Sequence, residues 1–346
     1  MNSAAAAVLS SDTTASQGRL RARLWPGLLL SGVIALVATQ LGRWLPLVGG
    51  PVFAIVLGVV VRNVATPPAA CVPGIRFAGK QILQWSIVAL GLGLSLTQVA
   101  RTGFESLSVT LVTVSAAFLA AWLLGRALGI PSKLKLLIGV GTAICGGSAI
   151  AAVTPIVKAD EHDTAFAIST IFLFNLVAVL AFPLLGHLLG LSDRGFGLWA
   201  GTAINDTSSV VAAGYSYSNA AGDFATIVKL TRATLILPVC LGLVLIEAWR
   251  HRRGDGFKLR RVFPWFILWF AVASAVRTAG WIPDAWHAGL HLAAEFLVVV
   301  ALAAIGLSSD LRRMAATGWR PIALGFGVWA AVALSSLAVQ FAAGQL

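Results

Sequence analysis

Two stretches decide how this chain folds. Residues 141–152 read GTAICGGSAIAA and, sixty residues on, residues 201–212 read GTAINDTSSVVA, with six identities in twelve positions. Both lie inside apolar surroundings. Glycines, small hydroxyl residues, an Asn and an Asp are poorly suited to lipid tails, so backbone opened at that depth has to line a cavity instead of facing hydrocarbon. Paired interruptions of hydrophobic segments point to the substrate site of a secondary transporter. The competing reading is close packing of helices through small residues.

The class follows from composition. Apolar residues are 58% of the 346 and charged residues only 11%, far from the roughly quarter-charged make-up of soluble domains. The expected fold is an all-α polytopic membrane protein. Apolar spans of about twenty residues fall near 24–40, 46–61, 81–98, 105–125, 136–157, 165–189, 196–214, 224–247, 262–280, 288–307 and 321–342, which makes about eleven transmembrane helices.

Basic residues orient the chain. With the N-terminus in the cytoplasm, nineteen of the twenty-five Lys and Arg residues fall on the cytoplasmic side, among them Lys133, Lys135, Arg194 and the cluster Arg250, Arg252, Arg253, Lys258, Arg260 and Arg261. The C-terminus is then outside, as are Lys158, Asp160, Glu161 and Asp163. The net charge of +12 is accounted for by orientation and anionic lipid, so the lipid bilayer and not nucleic acid is the expected partner. Cys71, Cys145 and Cys240 show neither metal spacing nor a disulfide framework. No metal or cofactor is expected. Residues 1–18, rich in Ala, Ser and Thr, read as a disordered tail ahead of a single integral domain at 19–346.

A second internal echo pairs Gly93-Leu94-Ser95, followed by Thr102-Gly103-Phe104, with Gly306-Leu307-Ser308, followed by Thr317-Gly318-Trp319. In the eleven-span order these run in opposite directions, as inverted repeats do. The GTAI pair does not, because spans five and seven run the same way if span six crosses once. Either the likeness reflects similar local demands, or one of the two segments is a re-entrant hairpin; the charge bias favours eleven crossings.

The run GVGTAICGGSAIAAVTPIVKADEHDTAFAISTIFLFNLVAVLAFPLLG at 139–186, GTAINDTSSVVAAG at 201–214 and AAIGLSSDL at 303–311 resemble the bacterial YeiH-type membrane proteins, a family named for sulfate export. The resemblance covers spans two to eleven and implies a multi-pass protein of the bacterial inner membrane, where the charge asymmetry makes the C-terminus periplasmic. More distantly, Gly93-Leu94-Ser95-Leu96 and Cys145-Gly146-Gly147-Ser148-Ala149 are similar to motifs of the bile acid:sodium symporter superfamily. That likeness implies two inverted halves, about 46–190 and 195–346, that cross through helices broken at the midplane. Span five would be one crossing helix. Span ten would be the other, yet it carries no Gly-Gly break, which leaves span seven as its rival.

Ionisable groups at membrane depth face a cavity or a partner. Lys229 and Arg232, three apart, share one helix face, and a guanidinium fork suits the oxygens of sulfate, sulfonate or carboxylate. Opened backbone at Cys145, Gly146, Gly147 and Ser148 presents N–H groups and the positive end of a half-helix, and Asn205, Thr207, Ser208 and Ser209 add side-chain donors. Asp206 and Glu295 are the candidate proton carriers, since a change in their charge alters the field at Arg232. The structural alternative has these two acids neutralise Lys229 and Arg232 in buried ion pairs. Asn175, Gln81 and Gln84 read as interhelical hydrogen-bonding groups, and the five histidines lack metal-ligand partners.

The expectation is therefore a transporter and not an enzyme: an inverted-repeat carrier that exports a small anion with protons or another coupling ion, with a homodimer left open. The alternative is a cation/proton antiporter in which Asn205-Asp206 holds the ion. A membrane receptor or structural protein is the third class.

Overall fold

The computed structural model describes residues 3–45, 49–251, 265–312 and 318–345, and for residues 3–23, 247, 248, 250, 251, 284 and 287 the backbone alone. Regular structure among them is entirely helical, as backbone deprived of water demands. The helices run α1 (Ser3–Trp44), α2 (Gly49–Val64), α3 (Val72–Phe77), α4 (Leu83–Gly91), α5 (Leu96–Ala127), α6 (Ser132–Ala143), α7 (Gly147–Val157), α8 (Glu161–Leu188), α9 (Asp193–Ala203), α10 (Thr207–Tyr217), α11 (Asn219–Thr234), α12 (Ile236–His251), α13 (Trp265–Thr278), α14 (Asp284–Ser308) and α15 (Trp319–Ala342). A π-helical turn, Ala78–Ile82, joins α3 to α4. The backbone of α1 extends through the polar segment expected as a tail; its membrane-length portion is Leu24–Trp44.

Among the described residues six helices are long and apolar enough to cross a membrane: Leu24–Trp44, α5, α8, the joined α11–α12 over Asn219–Ile246, Ala288–Ser308 of α14, and α15. Helices α2, α7 and α13 are apolar but shorter. Two packed bodies result. In one, Ile34, Ile55, Ile75, Leu90 and Leu302 bring α1 to α4 and α14 around a common core. In the other, Leu137, Ile150, Ile171, Phe196 and Val328 gather α6 to α9 and α15. Helix α10 serves both, with Val210 in the second core and Val211 and Ala212 in the first.

Glycine sets the closest approach in the first body. A Cβ at Gly58 would lie 2.5 Å from the Ala303 oxygen, and one at Gly306 would lie 2.3 Å from the Ile55 oxygen, so α2 and α14 touch backbone to backbone. Their ends are tied by Arg62 to Asp310 at 3.2 Å and by the Asn63 amide, which donates to the Ser309 carbonyl at 3.0 Å.

Both GTAI segments fold back on themselves, against the expectation that spans five and seven cross. Laid in line, α6 and α7 would separate residues 133 and 158 by about 37 Å at 1.5 Å per residue. Instead the Lys133 ammonium donates to the Lys158 carbonyl at 2.7 Å. The same arithmetic applies to α9 and α10. There the Ser218 hydroxyl donates to Asp193 at 2.7 Å, the Tyr217 hydroxyl donates to the Leu191 carbonyl, and the Phe196 and Tyr217 rings stack at 3.9 Å. Each pair is a helical hairpin, and the crossing broken helices implied by the distant symporter likeness are absent at these two segments.

Helix α8 links the hairpins. It has 28 residues, about 42 Å of helix, and runs from the foot of the first hairpin to the foot of the second. The hairpins therefore enter from opposite ends of α8. Their tips meet beside its middle, where a Cβ at Gly146 would lie 3.4 Å from both Asp206 Cβ and Ile171 Cγ2. The order hairpin then long helix occurs twice, as α6–α7–α8 and as α9–α10 followed by the joined α11–α12.

Candidate functional site

At the first tip the helix stops because the chain leaves helical geometry: Ile144 has φ −120° and ψ −88°, and Gly146 has φ 66° and ψ −129°. The positive φ at Gly146 is one that a side chain disfavours, and it re-aims the chain so that α7 can return. The N-cap, Gly146, has no side chain to cap the new helix, and the Cys145 sulfur takes the Ala149 N–H of its first turn. Cys145 and Gly146 are buried, Gly147 is half-buried and Ser148 is exposed. Only Ser148 at the start of α7 is exposed.

At the second tip Ile204 is extended and Asp206 begins α10. The Asp206 carboxylate accepts from the Ser208 backbone N–H at 3.0 Å and from the Ser208 hydroxyl, an N-cap that holds the positive end of α10. Asp206 is half-buried, whereas Asn205, Thr207, Ser208 and Ser209 are buried. Among the described residues neither atom of the Asn205 amide has a hydrogen-bond partner, and the same is true of Asn175 on α8.

The basic pair on α11 reaches both tips. The Lys229 ammonium donates to the Ile144 carbonyl at 2.9 Å and to the Ile204 carbonyl at 2.8 Å, so one cation holds the C-terminal ends of α6 and α9 together. Arg232 donates through Nε to Ala143 at 2.6 Å and through Nη2 to Thr142 at 2.8 Å. Its Nη1 is buried with no partner. Both side chains are 0% exposed, and none of the described carboxylates lies within ion-pairing distance of either. The ion pairs weighed as the structural alternative do not form. The cations sit where helix C-termini carry partial negative charge and orphan carbonyls.

The candidate residues therefore divide. Cys145, Gly146, Gly147, Ser148, Asn205, Asp206, Thr207, Ser208, Ser209, Lys229 and Arg232 all come together at the two tips. Glu295 does not. It lies on α14 in the other body, 3.3 Å from His291. His291 itself was passed over in the sequence for want of metal spacing, although its i,i+4 relation to Glu295 on one helix face was legible there.

Opposed helical hairpins closing on a buried basic pair, set among helices of membrane length, define a polytopic α-helical membrane protein with a polar site in its interior. Comparison with known proteins gives the family: the chain belongs to that described as Conserved hypothetical protein 698, whose model matches residues 26–325. It is 46% identical over 334 residues to a UPF0324 membrane protein of Streptococcus pyogenes serotype M6, covering 93% of this chain and 98% of the relative. A UPF0324 membrane protein of Fusobacterium nucleatum is 39% identical over 335 residues, 91% and 96% of the two chains. Another from Clostridium tetani is 38% identical over 336 residues, 92% and 97%. The YeiH-type resemblance carried by ICGGSA and GTAINDTSS falls within this family.

Proposed function

We propose that the protein is a secondary transporter of a small anion, an oxyanion or sulfonate, which binds between the two hairpin tips. The observation that carries the reading is the charge arrangement. Two buried cations lack carboxylate partners among the described residues, their donors are aimed mainly at helix C-termini, and the N-terminus of α7, whose N-cap is a glycine, lies beside them. A helix N-terminus is a ready anion site. The cations behind it raise the local positive potential in a low-dielectric setting. Ser148 and Thr207 supply hydroxyl donors, and Arg232 retains one free N–H edge at Nη1.

Asp206 stands across the gap from Gly146, where its negative charge opposes an anion. Its protonation would remove that opposition and so couple anion binding to proton uptake. Opposed hairpins are also what alternating access uses, one barrier on each side of a central site. In this reading the two hairpin-and-helix units are an inverted pair, nine segments cross the inner membrane, and the termini remain on opposite sides. The direction of transport expected from the family resemblance is outward.

A second reading rests on Asn205, whose amide oxygen is buried without a donor next to the Asp206 carboxylate. Those oxygens suit a small cation, as in a cation/proton antiporter. Ligand-induced thermal stabilisation of the purified protein separates the two, since a ligand stabilises the state it binds. Sulfate, sulfite, taurine and small carboxylates are expected to raise Tm while sodium and lithium are without effect. Gly147→Val is expected to abolish the anion response and still fold, because a Cβ at Gly147 meets only the Phe172 ring at an ordinary 3.6 Å. Stabilisation by sodium or lithium alone would transfer the site to the antiporter reading.

A further inference from the structure

Away from the tips, one titratable cluster joins the two bodies. His291 of α14 has Glu295 Oε1 3.3 Å from its Nδ1 and Asp223 Oδ1 of α11 3.8 Å from its Nε2. The Tyr215 hydroxyl of α10 donates to the same Asp223 oxygen at 2.5 Å, and its ring meets the imidazole edge-on with centroids 6.3 Å apart. The turn at Gly93 closes another side, where a Cβ would lie 3.5 Å from His291 Cδ2. Among the described residues no other charged side chain is within ion-pairing distance of these three. All three side chains are roughly one-quarter exposed.

The arrangement suits a proton held within the cluster. A neutral imidazole offers one N–H and one lone pair, whereas an imidazolium donates from both nitrogens. Here a carboxylate oxygen lies within 4 Å of each nitrogen, although Glu295 Oε1 takes up no hydrogen bond. A neutral ring would turn its lone pair toward one of two anions, leaving α11 and α14 to present like charges to each other across the ring. With the proton in place, a single cation bridges both carboxylates and hence both bodies.

We propose that Asp223, His291 and Glu295, with Tyr215 orienting Asp223, form a proton-binding latch that ties the foot of the second hairpin and α11 to α14. Protonated, the latch holds the two bodies together; as pH rises the proton leaves and the bodies separate at this point. The latch does not depend on which solute occupies the tips. Resting on the transport reading, it makes the proton the ligand that biases the hairpin body against its neighbour.

The test is a double-mutant cycle on the purified protein in choline chloride, with His291→Gln and Asp223→Asn made singly and together. Thermal unfolding is followed at acidic and at alkaline pH. Residues in one charge network show non-additive effects. The Tm shift of the double variant is expected to fall short of the sum of the singles at acidic pH and to equal that sum at alkaline pH. Additivity at both pH values, or equal coupling at both, overturns the latch. Recovery of wild-type stability at alkaline pH by sodium in place of choline also overturns it, in favour of a metal-cation site. If a variant does not fold, the wild type supplies the readout through carbethoxylation of His291, which requires the neutral ring. Modification is expected to accelerate over the pH interval in which wild-type Tm falls, and acceleration outside that interval overturns the proposal. None of these readouts uses an oxyanion, sulfonate or carboxylate, so a failure of the anion reading leaves them interpretable.

Discussion

Lys229 and Arg232 look in the sequence like ligands for an anion, and in the folded chain they first serve the protein. Four carbonyls at the ends of α6 and α9, those of Thr142, Ala143, Ile144 and Ile204, are left over by helix geometry and find their donors on these two side chains. Removing a donor leaves a buried acceptor unsatisfied, at about 1–3 kcal/mol for each group. Lys229→Met is therefore expected to lower Tm markedly, since it strands two carbonyls at once and frees the tips from each other. Arg232→Lys is expected to be destabilising as well, because a single ammonium replaces a fork that spans two carbonyls. Tryptophan fluorescence during thermal unfolding measures both. A Lys229→Met protein as stable as the wild type would show that the carbonyl contacts hold nothing together.

At the scale of elements, the hairpins were only half legible. The GTAI likeness, the glycines and the Asn-Asp pair located both tips, and the conflict between parallel spans and an inverted pair signalled that one segment turned back. Charge could not resolve it. Replacing two crossings by two hairpins moves Lys158 to the cytoplasmic side and Arg194 to the outside, and the cytoplasmic total of nineteen stays as it was. Length could not resolve it either, because two half-helices of 12 and 11 residues add up to one apolar span. What settles the matter is tertiary, the contact of Lys133 with the far end of its own hairpin. The corresponding prediction is topological. Single cysteines at Lys158 and in the 252–261 segment are expected to label from the same, cytoplasmic side, and a cysteine at Asp193 from the outside. Labelling of Lys158 and the 252–261 segment from opposite faces would restore the two crossings.

On the scale of the whole molecule, composition was enough to give a helical membrane protein, and the apolar spans gave most of its helices. The division into two bodies was not readable, since every apolar helix face looks alike in a sequence. Only packing shows that α2 and α14 press together through Gly58 and Gly306 while α10 sits between the bodies. Glu295 was misplaced for the same reason. Its depth in an apolar helix marked it as functional, yet nothing in the sequence tells which body an acid on α14 will face. The resulting design is a hairpin-bearing body with its polar tips at the middle, set against a second body of plain helices. The central claim is that this assembly carries an anion. Counterflow in proteoliposomes tests it most directly: vesicles loaded with unlabelled sulfate or an alkyl sulfonate and diluted into labelled anion are expected to accumulate label transiently, with Gly147→Val vesicles showing none. Absence of counterflow for every anion, together with sodium or lithium flux driven by a proton gradient, would contradict the account.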